Sequence, residues 1–169
     1  MTKHVFDIEE CRRFIRAQSP ETKIYFGSDS SRYKRNGKWY ADYATAIAIH
    51  INGRNGCCVF GEIITELDFD GRKDRPARRL MREVELVAEM FRKLIDDVGT
   101  RHCEVHCDIN PDKRFGSSCV IENALAYLHG TCHEASVIHT KNLAPCASFV
   151  ADRLSQILDE QRADRLAAA

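Results

Sequence analysis

The chain has 169 residues, enough for one domain with one core and too few for a second domain of full size. Apolar residues make up 44% and charged residues 30%, a composition typical of an ordinary soluble domain. The formal net charge is zero, so no overall field attracts nucleic acid, and only local basic clusters can do so.

Neither a membrane span nor a secretory signal is expected. No apolar run reaches the roughly 18 residues that cross a bilayer, and residues 1–7 lack the apolar core of a signal peptide. We therefore expect a cytoplasmic protein with no membrane partner. The eight cysteines are accordingly expected to be free thiols, mostly buried.

The first part of the chain predicts a short helix and then a hairpin. Residues 7–18 carry apolar side chains at helical spacing, and Ser19-Pro20 ends that helix. Residues 23–28 predict a strand that runs into a polar corner at Asp29. Asn36-Gly37 is a strong signal for a hairpin turn, so the next strand is expected to run antiparallel to the first.

Two more segments complete an antiparallel half-sheet. The second predicted strand covers 39–51 and alternates, with Tyr43 and isoleucines on one face and alanines on the other. Asn52-Gly53 and Asn55-Gly56 predict the next turn, and 57–67 predicts a third strand. Two consecutive hairpins make three antiparallel strands.

The second half alternates helices with strands. Pro76 begins and Gly99 ends a long predicted helix. The remaining elements are a strand over 102–109, a helix capped by Ser117 or Ser118 and ending at Gly130, a strand near 135–139, and a last helix from Pro145 to about 162. Helices separate the last three strands, so that half of the sheet is expected to be parallel.

These elements predict one α/β domain over residues 1–169. Its mixed five-stranded sheet has three antiparallel strands and then two parallel ones, flanked by helices in the order β-β-β-α-β-α-β-α. A helical segment lies within 1–20, and 163–169 form a frayed tail.

Two aspartates lie at predicted strand ends. Asp29 follows the first strand, where an aspartate is also a common turn former. Asp108 closes the fourth strand, on the face shared by His102, Glu104 and His106. A carboxylate at that depth is costly to desolvate unless a cation or hydrogen bonds compensate it, and ligands gather at such strand ends.

The helices add further carboxylates. On the long helix, Glu83 and Glu85 flank the apolar stripe on opposite sides; Glu83 lies nearer its centre, and Glu89 points outward. On the last helix, Asp152 lies on a side of small residues, which is compatible with contact to the sheet edge or with exposure to water.

A zinc site of cysteines and histidines is not expected. The neighbouring pairs His102-Cys103 and His106-Cys107 lie on one predicted strand, so their side chains alternate between faces and cannot converge on one tetrahedral ion. The sequence contains no Cys-x-x-Cys motif.

The order of elements and acids resembles the ribonuclease H fold, and more closely the YkuK-like family of that superfamily. The similarity is carried by four short segments in order along the chain, residues 24–31, 79–86, 104–110 and 148–154. Each segment is short, and together they span nearly the whole domain.

The resemblance implies a nuclease that cuts RNA, in an RNA–DNA hybrid or a structured RNA, with two Mg²⁺ or Mn²⁺ ions. The implied catalytic and metal-binding acids are Asp29, Glu83, Asp108 and Asp152, with Glu85 as the alternative to Glu83. Six further residues are candidates for substrate contact: Ser30, Ser31, Asn110, Ser117, His139 and Lys141. The open alternative is an inactive module of the same fold that binds nucleic acid or serves as a scaffold.

Overall fold

The computed structural model describes residues 3–4, 7–71 and 76–141. The predicted last helix and the tail lie outside these residues. In chain order the described elements are β1 (Lys3–His4), α1 (Ile8–Arg16), β2 (Lys23–Arg35), β3 (Lys38–His50), β4 (Cys57–Leu67), α2 (Ala77–Val98), β5 (Cys103–Cys107), α3 (Ile121–Thr131) and β6 (Val137–His139), with short 3-10 segments at Ile51–Gly53 and Gly116–Val120.

The strands form one mixed sheet in the order β1-β4-β3-β2-β5-β6. β2, β3 and β4 are antiparallel neighbours, whereas β5 lies parallel to β2 and β6 lies parallel to β5. This confirms the predicted α/β class and the predicted order of five strands. The sequence analysis missed β1, which pairs with the edge of β4 through only two residues, too few to show a period.

The hairpin between β2 and β3 is longer than predicted. Asn36 and Gly37 have φ values of 49° and 78°, the two positive angles of a type I′ turn, and Arg35 pairs with Lys38. The predicted polar corner at Asp29 is therefore wrong: cross-strand pairing with β3 keeps β2 extended past that residue. β5 is shorter than predicted and ends at Cys107.

The three described helices pack on one face of the sheet. Phe26 of β2 meets Phe91 of α2 edge to face, with ring centroids 5.2 Å apart. Ile47 and Ile49 of β3 join this core. Burying each such side chain contributes roughly 1.5–3 kcal/mol. Ala46 and Ala48 of β3 pack with Tyr25 on the opposite face, as the alternation predicts, whereas Ala41 packs with Tyr43 and Leu86 on the helix side.

Asp70 fixes the beginning of α2. Its two carboxylate oxygens accept hydrogen bonds from the backbone N–H groups of Arg78 (3.1 Å) and Arg79 (2.9 Å), which lie in the first turn and have no partner within the helix. The helix begins next to Pro76 and is followed by Gly99 at φ 60°, close to the predicted bounds. This start places Arg79 and Glu83 one turn apart.

The predicted serine cap of α3 is wrong. Ser117 and Ser118 lie within the preceding 3-10 segment, and α3 begins at Ile121. The Ser117 hydroxyl instead accepts a hydrogen bond from the Asn110 N–H at 3.2 Å, and the Ser118 hydroxyl donates to the Phe115 carbonyl at 2.8 Å. Both hydroxyls thus order the loop after β5.

Two further expectations concern thiols and membranes. The seven cysteines among the described residues are free thiols, and four of them are buried. Within the same part of the chain, no helix combines the length and the apolar character that crossing a membrane requires.

Candidate functional site

The register between β2 and β5 brings Asp29 and Asp108 side by side, at the same level of the sheet. β2 and β5 run parallel, and their last pair is Ser28 with Cys107. Asp29 and Asp108 are the next residue on each strand, at the point where β5 ends while β2 continues beside β3. The two aspartates therefore lie at the fork between neighbouring strands.

Glu83 reaches this fork from α2. Its side chain is buried, and its carboxylate accepts a hydrogen bond from the Ser30 hydroxyl. The Ser28 hydroxyl donates to the Glu83 carbonyl at 2.8 Å, which attaches this turn of the helix to β2. Arg79 approaches the Glu83 carboxylate at 3.8 Å and contacts the Ser30 hydroxyl at 2.6 Å. Serine and arginine thus hold the glutamate towards the strand end.

The charges at the fork act on one another. The pKa of Glu83 is raised to about 8, chiefly by burial and also by the negative charges of Asp29 and Asp108. The hydrogen bond from Ser30 and the charge of Arg79 oppose this rise. The structure thus gathers three of the four predicted acids, and we call Asp29, Glu83 and Asp108 the carboxylate cluster.

The alternative glutamate points elsewhere. The Glu85 side chain is 43% exposed and pairs with Arg82 at 3.1 Å. Glu89 is exposed and pairs with the same arginine at 3.5 Å. Of the glutamates on this helix, only Glu83 lies with the two aspartates. Asp152, the fourth predicted acid, lies outside the described residues.

One oxygen of Asp108 has a cationic neighbour, and the other has no hydrogen-bond partner among the described residues. Lys141 Nζ lies 3.2 Å from Asp108 Oδ2. Oδ1 is buried, and no group in residues 7–71 or 76–141 donates a hydrogen bond to it. A buried carboxylate oxygen without a donor is costly, and a bound cation would offset that cost.

The other predicted substrate contacts take different positions. Ser31 lies on β2 and is exposed. Asn110 is buried in the loop after β5, where its side-chain oxygen accepts from the Asp112 N–H at 3.0 Å and its own N–H reaches Ser117. His139 is turned towards Glu104 rather than towards the carboxylate cluster. Lys141 and Ser30 are the two of the six that contact carboxylates of the cluster.

A large cleft opens beside Ser30 on the α2 side of the hairpin. Its volume is about 1020 Å³, and we call it the arginine cleft. The stacked rings of Tyr33 and Tyr40 lie along it, with centroids 5.9 Å apart. The lining also includes Arg35, Arg78, Arg79, Arg82, Glu66, Glu85 and the exposed Phe69. Arg79 belongs to both the cleft and the surroundings of Glu83.

A second polar cluster, missed by the sequence analysis, lies two residues before Asp108. Glu104 and His106 share the face of β5 opposite the core, and His139 of β6 pairs in register with His106. We call Glu104, His106 and His139 the imidazole cluster. Burial lowers the pKa of His106 despite its contact with Glu104, so this ring is neutral near pH 7. In the sequence, the imidazole cluster is indicated only by Glu104 and His106 on one face of a strand. Their spacing does not predict that His139 lies beside them.

The chain matches a known protein family. A family model described as Ribonuclease H-like matches residues 7–156. The matched segment contains the whole carboxylate cluster and extends past Asp152. Neither a curated protein nor a solved structure matches the chain.

Proposed function

Since the chain belongs to the ribonuclease H-like family, we propose that it is a divalent-metal-dependent nuclease that hydrolyses phosphodiester bonds of RNA, in an RNA–DNA hybrid or a structured RNA. We also propose that it belongs to the YkuK-like branch of this family. Its proposed location in the cell is the cytoplasm. One observation carries the nuclease proposal. The Glu83 carboxylate is buried at the strand fork, close enough to Asp29 and Asp108 for their negative charges to raise its pKa.

The carboxylate cluster fits a hard divalent cation. All of its donors are oxygens, the ligands that Mg²⁺ and Mn²⁺ prefer. Burial disfavours the negative charge of Glu83, and Asp108 Oδ1 is buried without a donor among the described residues. With Asp152 as the fourth acid, the set would hold two ions. When bound, such ions activate a water molecule and stabilise the leaving oxygen of the phosphodiester.

The residues around the cluster orient its charges. Ser30 and Arg79 hold Glu83 towards the fork, and the hydroxyl of Ser28 attaches the helix backbone there. Lys141 keeps its ammonium group beside Asp108 with half of its side chain exposed. That ammonium is placed to contact a phosphate oxygen of a strand bound at the fork.

The arginine cleft supplies an interface for the nucleic-acid backbone. Its arginines offer charge to phosphates, although Glu66 and Glu85 already neutralise Arg82. The stacked Tyr33 and Tyr40, and Phe69 with 71% of its surface exposed, offer faces on which bases stack. Because Arg79 joins the cleft to Ser30 and Glu83, a strand that follows the cleft arrives at the carboxylates.

The second candidate is a binding module without turnover. It is favoured by the positive charges that already lie beside the acids, namely Lys141 next to Asp108 and Arg79 next to Glu83. These pairs reduce the repulsion within the cluster without any metal ion. In that case the same cleft binds nucleic acid and the fork performs no chemistry.

A panel of labelled nucleic acids separates the two candidates. An RNA–DNA hybrid, a hairpin RNA, single-stranded RNA and duplex DNA are incubated with the protein in Mg²⁺, in Mn²⁺ and in chelator. The nuclease proposal expects cleavage of the hybrid or the hairpin RNA with either ion and none in chelator. Binding without cleavage under all three conditions would instead establish the module.

A further inference from the structure

The carboxylate of Glu104 lies among three histidine rings. His106 Nε2 is 2.9 Å and His139 Nε2 is 3.1 Å from the same oxygen, Oε2, while His102 Nε2 is 2.7 Å from Oε1. The donor atoms of Glu104, His106 and His139 all lie within 4.8 Å of one another. Two imidazole nitrogens and a carboxylate oxygen therefore converge on one point between β5 and β6.

The burial of His106 indicates that its ring is fixed. Its side chain is only 3% exposed, and Nδ1 has no hydrogen-bond partner within residues 7–71 and 76–141. Nε2 therefore makes the polar contact that these residues provide for the ring. A metal ion at Nε2 would leave the ring proton on Nδ1 and would replace the single contact with Glu104 by a stronger metal–nitrogen bond.

The spacing of the donors is close to what a tetrahedral ion needs. Zinc binds histidine nitrogen and carboxylate oxygen at roughly 2.0–2.2 Å, so two ligand atoms on one tetrahedral ion lie roughly 3.4 Å apart. The contacts of 2.9 Å and 3.1 Å at Glu104 Oε2 are shorter by a few tenths of an ångström. Small side-chain rotations would open this spacing without moving the strands.

We propose that Glu104, His106 and His139 bind one transition-metal ion of the Zn²⁺ class, at a site separate from the carboxylate cluster. Two imidazoles and one carboxylate form a donor set that suits Zn²⁺, Co²⁺ or Ni²⁺, whereas the all-oxygen set at the fork suits Mg²⁺ or Mn²⁺. The proposal does not depend on nuclease activity.

An ion at this site would also stabilise the edge of the sheet. β6 has only three residues and pairs with β5 at the edge of the sheet. An ion that bridges His139 and His106 ties this short strand to β5. Two residues after His139, the Lys141 N–H donates to the Ile109 carbonyl at 3.2 Å, and its ammonium contacts Asp108. The ion thereby also holds the lysine beside the carboxylate cluster.

Titration calorimetry of the metal-stripped 169-residue chain with Zn²⁺ tests the proposal. We expect one ion per chain at this site. His139→Gln and Glu104→Gln each remove a ligand, so the affinity should fall by more than the roughly 10–100-fold that loss of an outer partner costs. His133→Gln is the matched control, because that ring is 71% exposed and lies outside the cluster, and its affinity should equal that of the wild type.

Cobalt identifies the ligands independently of the variants. Co²⁺ held by imidazole and carboxylate gives visible ligand-field bands without the charge-transfer band of thiolate ligands, which separates this site from the exposed Cys57. Circular dichroism verifies that each variant is folded, and His139→Ala provides a second truncation of the same ligand. A folded His139 variant with wild-type Zn²⁺ affinity, a thiolate signature, or no binding at millimolar ion would each overturn the proposal.

A further variant distinguishes this site from the proposed nuclease centre. Asp29→Asn changes the carboxylate cluster and leaves Glu104, His106 and His139 intact. Zn²⁺ affinity should stay within about twofold of the wild type in this variant. A loss as large as that of Glu104→Gln would show that the bound ion belongs to the carboxylates, which would overturn the separate site while leaving the nuclease proposal standing.

Discussion

The carboxylate cluster and the imidazole cluster meet at the end of β5, because Asp108 directly follows this strand and His106 lies two residues earlier, yet they differ in chemistry and in the elements that supply their residues. Asp108 belongs to an all-oxygen group assembled from β2, α2 and the residue after β5, and this group contains a glutamate with a raised pKa. His106 belongs to a nitrogen-rich group from two neighbouring strands. The contrast teaches that the end of one strand can present two sets of ligands. The oxygens of the carboxylate cluster suit hard cations, whereas the nitrogens two residues earlier suit borderline transition-metal ions.

The largest expected effect is the loss of cleavage when an aspartate at the fork is replaced. Asp29→Asn and Asp108→Asn each remove a negative ligand while keeping the shape of the side chain. Because metal-bound transition states are stabilised by several kcal/mol, cleavage should fall by roughly 100-fold or more. Initial rates in Mg²⁺ on the hybrid measure this loss. Both variants cutting at the wild-type rate would remove the fork from the mechanism.

The two helix glutamates sharpen the same contrast within α2. Glu83→Gln should reduce Mg²⁺-dependent cleavage by about 100-fold, since it removes the buried ligand. Glu85→Gln is the matched control, because that side chain is exposed and pairs with Arg82, and its rate should stay within about threefold. The reverse ranking in the same rate assay would assign the site to Glu85.

The carboxylate cluster, through Glu83, should make the stability of the metal-free protein depend on pH. Burial holds the pKa of Glu83 at about 8, above its ordinary value of 4.5. Between these values the folded chain keeps a proton that the unfolded chain has lost, so the free energy of unfolding of the metal-free protein falls as pH rises. The penalty is absent below about pH 4.5 and complete above about pH 8.

The matched variant isolates this contribution. Glu83→Gln cannot ionise, so its melting temperature in chelator should exceed that of the wild type at pH 8.5 by several degrees, on the order of 10 °C at most. At pH 5 the two proteins should melt within about 2 °C of each other. Calorimetry at both pH values measures the difference. Equal melting temperatures at pH 8.5 would mean that burial does not strain this carboxylate.

The smallest effect concerns the arginine cleft. Phe69→Ala removes an exposed ring, and stacking of one base on an aromatic side chain contributes roughly 1–3 kcal/mol. Affinity for single-stranded RNA in chelator should fall by about 5–100-fold by fluorescence anisotropy. Tyr127→Ala, which removes a 40% exposed ring from α3, should leave the affinity unchanged. Equal losses in both variants would mean that the cleft is not the interface.

Local patterns explain why most of the fold was predictable. Asn36-Gly37 specifies its hairpin because a type I′ turn needs positive φ at both positions. The apolar stripe of α2 and the alternation on β3 likewise define which faces are buried. The lengths of β2 and β5 were not predictable in this way, because the pairing partner decides where a strand stops. Ser117 shows the same limit, since its hydroxyl is used by Asn110 across a loop.

The two clusters differ in how far the sequence reveals them. The carboxylate cluster was expected because order and spacing resemble a known arrangement of acids, and Glu83 was favoured over Glu85 by its place on the helix. The imidazole cluster was missed because its third member, His139, joins only through the register between β5 and β6. Alternation correctly separated Cys103 and Cys107 from the histidine face, but it gave no signal for a partner on another strand.

Anomalous scattering from Mn²⁺ tests the central claim most directly. Crystals soaked in millimolar Mn²⁺ and measured above the manganese absorption edge should show an anomalous peak bounded by the carboxylates of Asp29, Glu83 and Asp108. The peak should be absent from Asp108→Asn crystals treated in the same way. A wild-type map without density between these three side chains would contradict the account.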